Sequence, residues 1–198
     1  MERKPTEIRK GEIVEAVKKI MNQEGVQAVT IRNIAENISI TEGAIYRHFK
    51  DKAEILEYLI DDFEKHLAGI VEDAVKNCTN PIDELRQIMK THLTMIEKKK
   101  GILFPLTAES VHFGNKSLKI KISNVVDNYK KTIKNILLTA KKDKMIRQDI
   151  NLEAASLTFF GLIQAGSVQS ALSESSASLV DRFPAIWDIF ITGISSAV

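Results

Sequence analysis

Apolar residues along the chain recur mostly at spacings of three and four, the repeat that lines one face of an α-helix, and no run alternates for long enough to predict a strand. A first helix is predicted over Thr6–Glu24, with Ile13, Val17, Ile20 and Met21 on one stripe and Gly25 just past its end. Three pieces follow closely. Thr30 caps a helix over Ile31–Asn37, and Thr41 caps another over Glu42–Phe49. Asp51, with Glu54 three residues on, forms an Asp version of the capping box ahead of a long helix from Lys52 to Cys78. The stripe of that helix, Leu56, Leu59/Ile60, Phe63, Leu67, Ile70/Val71, Ala74 and Cys78, stays on one side for roughly seven turns, a length that suits a connector between two modules.

Asn80-Pro81 opens the next helix, which runs to Lys98, where Lys98, Lys99 and Lys100 meet the negative end of the dipole and Gly101 stops it. A short helix over Leu103–Phe113 and a break at Gly114-Asn115 precede a long helix over Lys116–Lys142, striped by Leu118, Ile122, Val125, Tyr129, Ile133 and Ile136/Leu137. After Asn151 the segment LEAASLTFFGLIQAGSVQSAL is apolar on almost every side, as in a helix buried on two faces. The Ser-rich stretch Ser173–Ser178 separates it from a last helix carrying Phe183, Ile186, Trp187, Phe190, Ile191 and Ile194, whose start Pro184 leaves open by several residues. Two terminal helices this apolar need more cover than one chain supplies. They are expected to pack against their two-fold copies as a four-helix bundle, through Leu157, Phe160, Gln164, Val168, Phe183, Trp187, Phe190 and Ile191. The fold class is all-α, with about nine helices.

Composition narrows the picture. The chain has 198 residues, 44% of them hydrophobic and 27% charged, with only 9 Gly and 4 Pro, which is the composition of a soluble globular protein. Its one cysteine, Cys78, excludes an internal disulfide and any multi-cysteine metal site. No apolar run approaches the roughly 18 residues needed to cross a bilayer, and the charged start MERKPTEIRK has no apolar stretch behind it, so a cytoplasmic protein is expected. The formal charge of +2 hides one strong local bias, because Lys116–Arg147 holds ten Lys/Arg against Asp127 and Asp143. Such a run reads as a solvated helix face or as a surface for anions. His48, His66, His92 and His112 show no metal-ligand spacing, and the chain has no Gly-rich phosphate loop or nucleophile elbow. No catalytic residue, metal or cofactor is expected.

Residues 30–52, TIRNIAENISITEGAIYRHFKDK, have the geometry of a helix-turn-helix, with Ile38-Ser39-Ile40 as the turn. Ala35 is small enough to let the two helices approach, and Ile34, Ile40, Ile45 and Phe49 close a core with the first helix. Thr30, Arg32, Thr41, Glu42, Tyr46, Arg47, His48 and Lys52 fall off that apolar side and suit phosphates and base edges. The pattern Thr30, Arg32, Ile34-Ala35, Thr41, Gly43, Ile45-Tyr46, His48-Phe49, Lys52 and Ile55-Leu56 resembles that of the tetracycline-repressor (TetR) family of transcriptional regulators. Ser39 stands where that family commonly has Gly. Beyond this segment the resemblance rests on helix count, helix lengths and the apolar last two helices.

The resemblance implies a helix-turn-helix domain over residues 1–51 and a helical effector-binding and dimerisation domain over 52–198. It implies that Thr41, Glu42 and Ala44 lie nearest base edges in the major groove, with Arg47 as a further reader, and that Gly43 lets the backbone approach closely. Tyr46, His48, Thr30 and Lys52 would hold phosphates, with Arg32 beside them, and the basic tail Arg3, Lys4, Arg9 and Lys10 would add nonspecific contacts. The implied partners are a palindromic operator in double-stranded DNA, a second copy of the chain and a small, mostly apolar effector. The implied location is the nucleoid in the cytoplasm.

Candidates for lining the effector site are Phe63, Leu67, Met89, Leu93, Ile96, Phe104, Leu106, Phe113, Tyr129, Phe159, Phe160 and Ile163. Polar candidates for orienting a ligand are His92, Thr107, Glu109, His112 and Gln164. A second reading keeps the DNA-binding scaffold without a small ligand, with the basic helix at Lys116–Arg147 recruiting a protein partner.

Overall fold

Helices form where these caps and stripes place them. The computed structural model describes residues 5–99, 106–108, 110, 114–172 and 178–196, and no strand occurs among the described residues. The helices are α1 (Thr6–Glu24), α2 (Ile31–Asn37), α3 (Glu42–Ile45), α4 (Lys52–Val75), α5 (Pro81–Lys99), α6 (Lys116–Lys142), α7 (Leu152–Leu172) and α8 (Leu179–Ile194), with a 3₁₀ turn at Val26–Ala28. Residues 106–108 and 110 are also helical.

Most helix starts are held by a side chain that accepts an otherwise orphaned N–H, each worth about 1 kcal/mol. Thr30 accepts from Asn33 and Thr41 from Ala44. Asn80 accepts from Ile82 and Asp83, Asn115 from Leu118, Asn151 from Ala154, and Ser178 from Asp181. The expected box at α4 forms with a shift of one residue. Asp51 accepts the Glu54 N–H at 2.9 Å, while the Glu54 carboxylate reaches back to the N–H of Lys50 at 2.6 Å.

Two helices end on a left-handed residue other than glycine. Ser39 has φ 54°, the Ile40 N–H bonds the Ala35 carbonyl and the Ser39 N–H bonds the Glu36 carbonyl. Those two bonds define the Schellman end of a helix. Lys144, φ 57°, repeats the pattern after α6, with Met145 bonded to Ala140 and Lys144 to Lys141.

Three boundaries differ from expectation. The helix expected over Glu42–Phe49 is regular only to Ile45, because the His48 N–H bonds back three residues to Ile45 and tightens the last turn before Asp51 starts α4. Helix α4 stops at Val75 rather than Cys78, whose N–H closes a turn onto Val75 ahead of the Asn80 cap. Pro184 lies inside α8 rather than marking its start. Its missing N–H would have met the Val180 carbonyl, so α8 gives up one hydrogen bond there.

By packing, the chain divides into two units. One unit comprises residues 1–65 with 102–123, the other 66–101 with 124–198. The first unit buries Ile13, Val14, Val17 and Ile20 of α1, Ile34 and Ala35 of α2, Ile45 of α3, and Ile55, Leu56, Leu59 and Ile60 of α4. In the second, α5 packs against both α7 and α8, and the core includes Leu85, Ile88, Met89, Ile133, Leu137, Phe159, Phe183, Trp187 and Phe190. A Cβ on Gly166 would come within 3.1 Å of a Leu93 methyl, so any larger residue there needs Leu93 to give by a few tenths of an ångström. Glu97, near the end of α5, accepts the Val180 N–H and the Ser178 hydroxyl, each at 3.0 Å, and so caps α8 from outside.

Two predictions follow from these caps. Ser39→Gly relieves the left-handed strain and raises stability by about 0.5–1 kcal/mol in urea unfolding, since the relief exceeds the entropy that glycine adds to the unfolded chain. The Val180 N–H, followed by the Ser178 hydroxyl, holds the Glu97 carboxyl below its ordinary value of 4.5. Its stabilisation is therefore complete above that value and lost as pH falls through the lower folded value. Wild type should lose more Tm than Glu97→Gln when acidified from about pH 5 to about pH 3.

Candidate nucleic-acid interface

The first unit turns one side of α2 and α3 inward and leaves the other to solvent. Ile34, Ile45 and Phe49 are 0%, 0% and 2% exposed, and Ala35 is buried with them, so the orientation of both helices is set by side chains that cannot move without opening the core. Thr30, Arg32, Thr41, Glu42, Gly43, Tyr46 and Arg47 are exposed as a consequence, while Ala44, His48 and Lys52 are half-buried. All ten residues expected at the interface thus lie in one unit, around the helix-turn-helix and the first turn of α4.

Their partners show what each has left to offer. The Thr30 and Thr41 oxygens accept the caps of α2 and α3, which leaves each hydroxyl hydrogen as a donor. Arg32 donates from Nε to Glu36 at 2.9 Å in an exposed pair, worth little in water and readily exchanged for a phosphate. Arg47 makes only a long contact, 3.5 Å, to the Gly43 carbonyl. The buried Nδ1 of His48 has no hydrogen-bond partner among the described residues. Glu42 sits in the first turn of α3, where its charge favours the helix dipole. A Cβ on Gly43 would meet nothing within 4 Å, so no contact inside the chain calls for glycine there.

The basic tail is rearranged relative to expectation. Lys10 lies over the rings of Phe49 and Tyr58, 5.4 and 5.2 Å from their centroids, and Arg9 pairs with Glu12 at 2.7 Å. Arg9 is thus paired within α1, and Lys10 sits against two rings of the first unit; Arg3 and Lys4 lie outside the described residues. Tyr58, which the sequence did not single out, meets Phe49 edge-on at 5.6 Å and donates to Glu7 at 3.2 Å. Burial, with Glu7 second, raises its phenol pKa.

The candidates for effector binding divide. Phe63 and Thr107 fall in the first unit, as does the buried Leu106, and Thr107 accepts the Ser110 hydroxyl through its carbonyl. Met89, Leu93, Ile96, Tyr129, Phe159 and Ile163 are buried together in the second unit, with Leu67 and Phe160 packed against them and Gln164 half-buried on α7. His92 is buried there too, its Nδ1 2.8 Å from the Tyr129 hydroxyl. Phe104, Glu109, His112 and Phe113 lie outside the described residues.

Of the residues expected at a dimer interface, Phe183, Trp187 and Phe190 are buried in their own chain's core, where Phe183 stacks on Trp187 and Trp187 is tilted against Phe190. Phe160, Gln164, Val168 and Ile191 are half-buried. Leu157 is 56% exposed, and two residues not singled out from the sequence, Leu172 and Ile189, are 79% and 71% exposed. Among the described residues no group of His, Cys, Asp and Glu is arranged to hold a metal ion, and no helix is long and apolar enough to cross a membrane.

Two family models match the chain. One, described as bacterial regulatory proteins of the tetR family, covers residues 13–59, and the other, described as the C-terminal region of YsiA-like protein, covers residues 60–193. Among curated relatives, the nucleoid occlusion factor SlmA of Actinobacillus pleuropneumoniae serotype 5b (strain L20) is 27% identical over 142 residues, 71% of this chain and 70% of that protein. SlmA of Aliivibrio fischeri (strain MJ11) is 24% identical over 93% of this chain and 94% of its own. Among solved structures, the fatty acid degradation regulator FadR from Bacillus halodurans superposes with a TM-score of 0.83 at 16% identity, over 98% of each chain. FadR from Bacillus subtilis in complex with stearoyl-CoA gives 0.81 at 19% identity, over 93% of this chain and 98% of that one.

Gly43 provides the test of this surface. Gly43→Ala should raise stability by up to about 1 kcal/mol in chemical denaturation, because alanine is the better helix former and meets no neighbour. The same variant should bind duplex DNA more weakly than wild type at matched salt, measured by fluorescence anisotropy.

Proposed function

Because the chain belongs to the tetR family of bacterial regulatory proteins, whose members are DNA-binding transcriptional regulators rather than enzymes, we propose that it represses transcription as a homodimer on a palindromic operator and is released by a small, mostly apolar ligand. The observation that carries the DNA-binding part is the exposed polar face of α3, held on a core that includes Ile45 and Phe49. In this reading Thr41, Glu42, Ala44 and Arg47 face base edges, and Gly43 admits the groove. Thr30, Arg32, Tyr46, His48 and Lys52 hold phosphates. Tyr46, 53% exposed, offers its hydroxyl outward.

The dimer part rests on α7 and α8. Leu157, Leu172 and Ile189 are large, apolar and uncovered within the chain, and Gly161, Ala165 and Ala185 beside them are small and exposed, which suits close helix approach by a second copy. The ligand part rests on the second unit's interior, where an apolar cluster surrounds the buried pair His92 and Tyr129, and on the likeness to a regulator solved with stearoyl-CoA. An effector lowers operator affinity only by binding the DNA-incompetent state more tightly.

A second reading is favoured by the SlmA relatives, which are nucleoid occlusion factors. It keeps the DNA contacts and replaces the ligand with a protein partner on the basic side of α6. Part of that basicity is already neutralised, since Lys121 pairs with Asp61, Lys130 with Asp127 and Lys134 with Glu153. Lys116, Lys119, Lys131, Lys142 and Lys144 remain exposed.

Selection of bound sequences from random duplex DNA tests the proposal. The expected result is a palindrome with half-sites about one helical turn, roughly 34–36 Å, apart or a small multiple of it. Arg47→Ala should change which bases are preferred. Tyr46→Phe should weaken all sequences alike, and Lys52→Ala should also flatten the dependence of log K on log salt by about one. Folded, dimeric protein that enriches no sequence would sink the operator reading.

A further inference from the structure

Inside the second unit two polar rings meet in apolar surroundings. His92 of α5 and Tyr129 of α6 are 6% and 8% exposed, their ring centroids are 5.1 Å apart, and His92 Nδ1 lies 2.8 Å from the Tyr129 hydroxyl oxygen. One turn away on either side the neighbours are Met89 and Ile96 on α5 and Ile133 on α6, all buried, and the Phe160 ring of α7 is centred 6.1 Å from that of Tyr129. The other ring nitrogen, His92 Nε2, is buried with no hydrogen-bond partner among the described residues.

The protonation of the pair follows from its burial. Desolvation lowers the His92 pKa to about 4 and raises that of Tyr129 well above 10, so at neutral pH the imidazole is uncharged and the phenol keeps its proton. Two arrangements remain. If Nδ1–H donates to the phenol oxygen, both the phenol O–H and the Nε2 lone pair are stranded. If the phenol O–H donates to Nδ1, only Nε2–H is stranded. Buried donors left without partners are costly, so the second arrangement prevails and Nε2 carries the hydrogen.

We propose that the Nε2–H of His92 is the polar anchor of an effector site in this unit, and that it takes a neutral acceptor oxygen, a carbonyl above all, on an otherwise apolar molecule. The charge state of the ligand group follows from what surrounds it. Among the described residues the buried polar or charged side chains are His92, Ser110, Ser156 and Ser167, with no lysine or arginine. An ionised carboxylate here would lose its water without gaining a countercharge, whereas a ketone, ester or thioester carbonyl has far less hydration to lose and satisfies the one stranded donor. The anchor also sets specificity. A molecule of the same shape without the oxygen leaves Nε2–H unpaired.

This inference rests on the ligand-responsive reading for its regulatory meaning, but its test is read without DNA. Full-length protein labelled with ¹⁵N-histidine is equilibrated with 2-octanone or octane at equal vapour activity. Expected are a shift of the His92 Nε2 resonance with 2-octanone alone, tighter binding of the ketone than of octane, and ketone affinity about fivefold to tenfold weaker in His92→Phe, the loss of one hydrogen bond. His92→Gln keeps an N–H donor and should retain part of the ketone preference. His92→Phe combined with Tyr129→Phe removes both polar groups together, so it should fold at least as stably as wild type and lose the ketone preference. An unresponsive Nε2 resonance, equal affinity for ketone and alkane, or undiminished ketone binding in His92→Phe overturns the anchor. Ketone binding at His92 with no change in operator affinity would instead count against the ligand-responsive reading and leave the anchor standing.

Discussion

A helix of four residues has no stability of its own, since nucleation fixes several residues before any hydrogen bond is returned. The position of α3 therefore depends on burying Ile45 and Phe49, which are 0% and 2% exposed and contribute roughly 1.5–3 kcal/mol each. These two define the inward side of the turn. Gly43, Tyr46 and Arg47 are left exposed, and Ala44 and His48 half-buried. The outward chemistry of the interface is thus dictated by two apolar side chains that never leave the interior. The Thr41 cap and the Ser39 turn fix where the helix begins.

Around this core the charged residues act more as locators than as sources of stability. Lys18 of α1 bridges Glu15 and Asp62 of α4 at 2.7 and 2.8 Å. Burial alone would lower its pKa, and the two carboxylates together outweigh that, leaving it raised. Lys10 does the same at the next level, its ammonium over Phe49 and Tyr58 while Tyr58 holds Glu7. Partly exposed pairs of this kind are individually worth little. Their effect is to fix the rotation of α1 against α4, and so the frame on which α3 is carried.

What could be read from the sequence was whatever is encoded locally. Caps at Thr30, Thr41, Asp51 and Asn80 are written within three residues of the N–H groups they satisfy, and the stripes of α1, α4 and α6 repeat over many turns, so helices and the polar face of α3 were legible. The end of α3 was not, because whether Tyr46–His48 continue as α-helix or tighten is decided by the packing of Phe49 and the restart at Asp51. The ring contacts of Lys10 were not legible for the same reason, since Phe49 and Tyr58 lie 39 and 48 residues further on. The pairing of His92 with Tyr129 spans 37 residues and leaves no trace in spacing. The aromatic residues of α8 show the limit of pattern alone, since periodicity reveals that Phe183, Trp187 and Phe190 are buried but not whether their own chain or a second copy buries them.

Among the described residues, three kinds of feature have no explanation inside the chain, and each runs against what folding alone would select. Gly43 sits in a helix, where alanine would be the more stable choice by about 1 kcal/mol and would meet no neighbour. Leu172 and Ile189 hold large apolar side chains in water. His92, like His48, keeps a buried nitrogen with no partner among the described residues. A sequence shaped by the isolated chain's stability would have no reason to retain any of them, and natural proteins break such local rules chiefly where they meet something else. The three differ in kind: missing bulk at the first, uncovered apolar surface at the second, a stranded polar group at the third. In the proposed reading a polyanion approached backbone-first, a second copy of the same helices and an apolar molecule with one oxygen acceptor would meet them in that order. Because each demand is chemically distinct, an occupant that satisfies one leaves the others unmet.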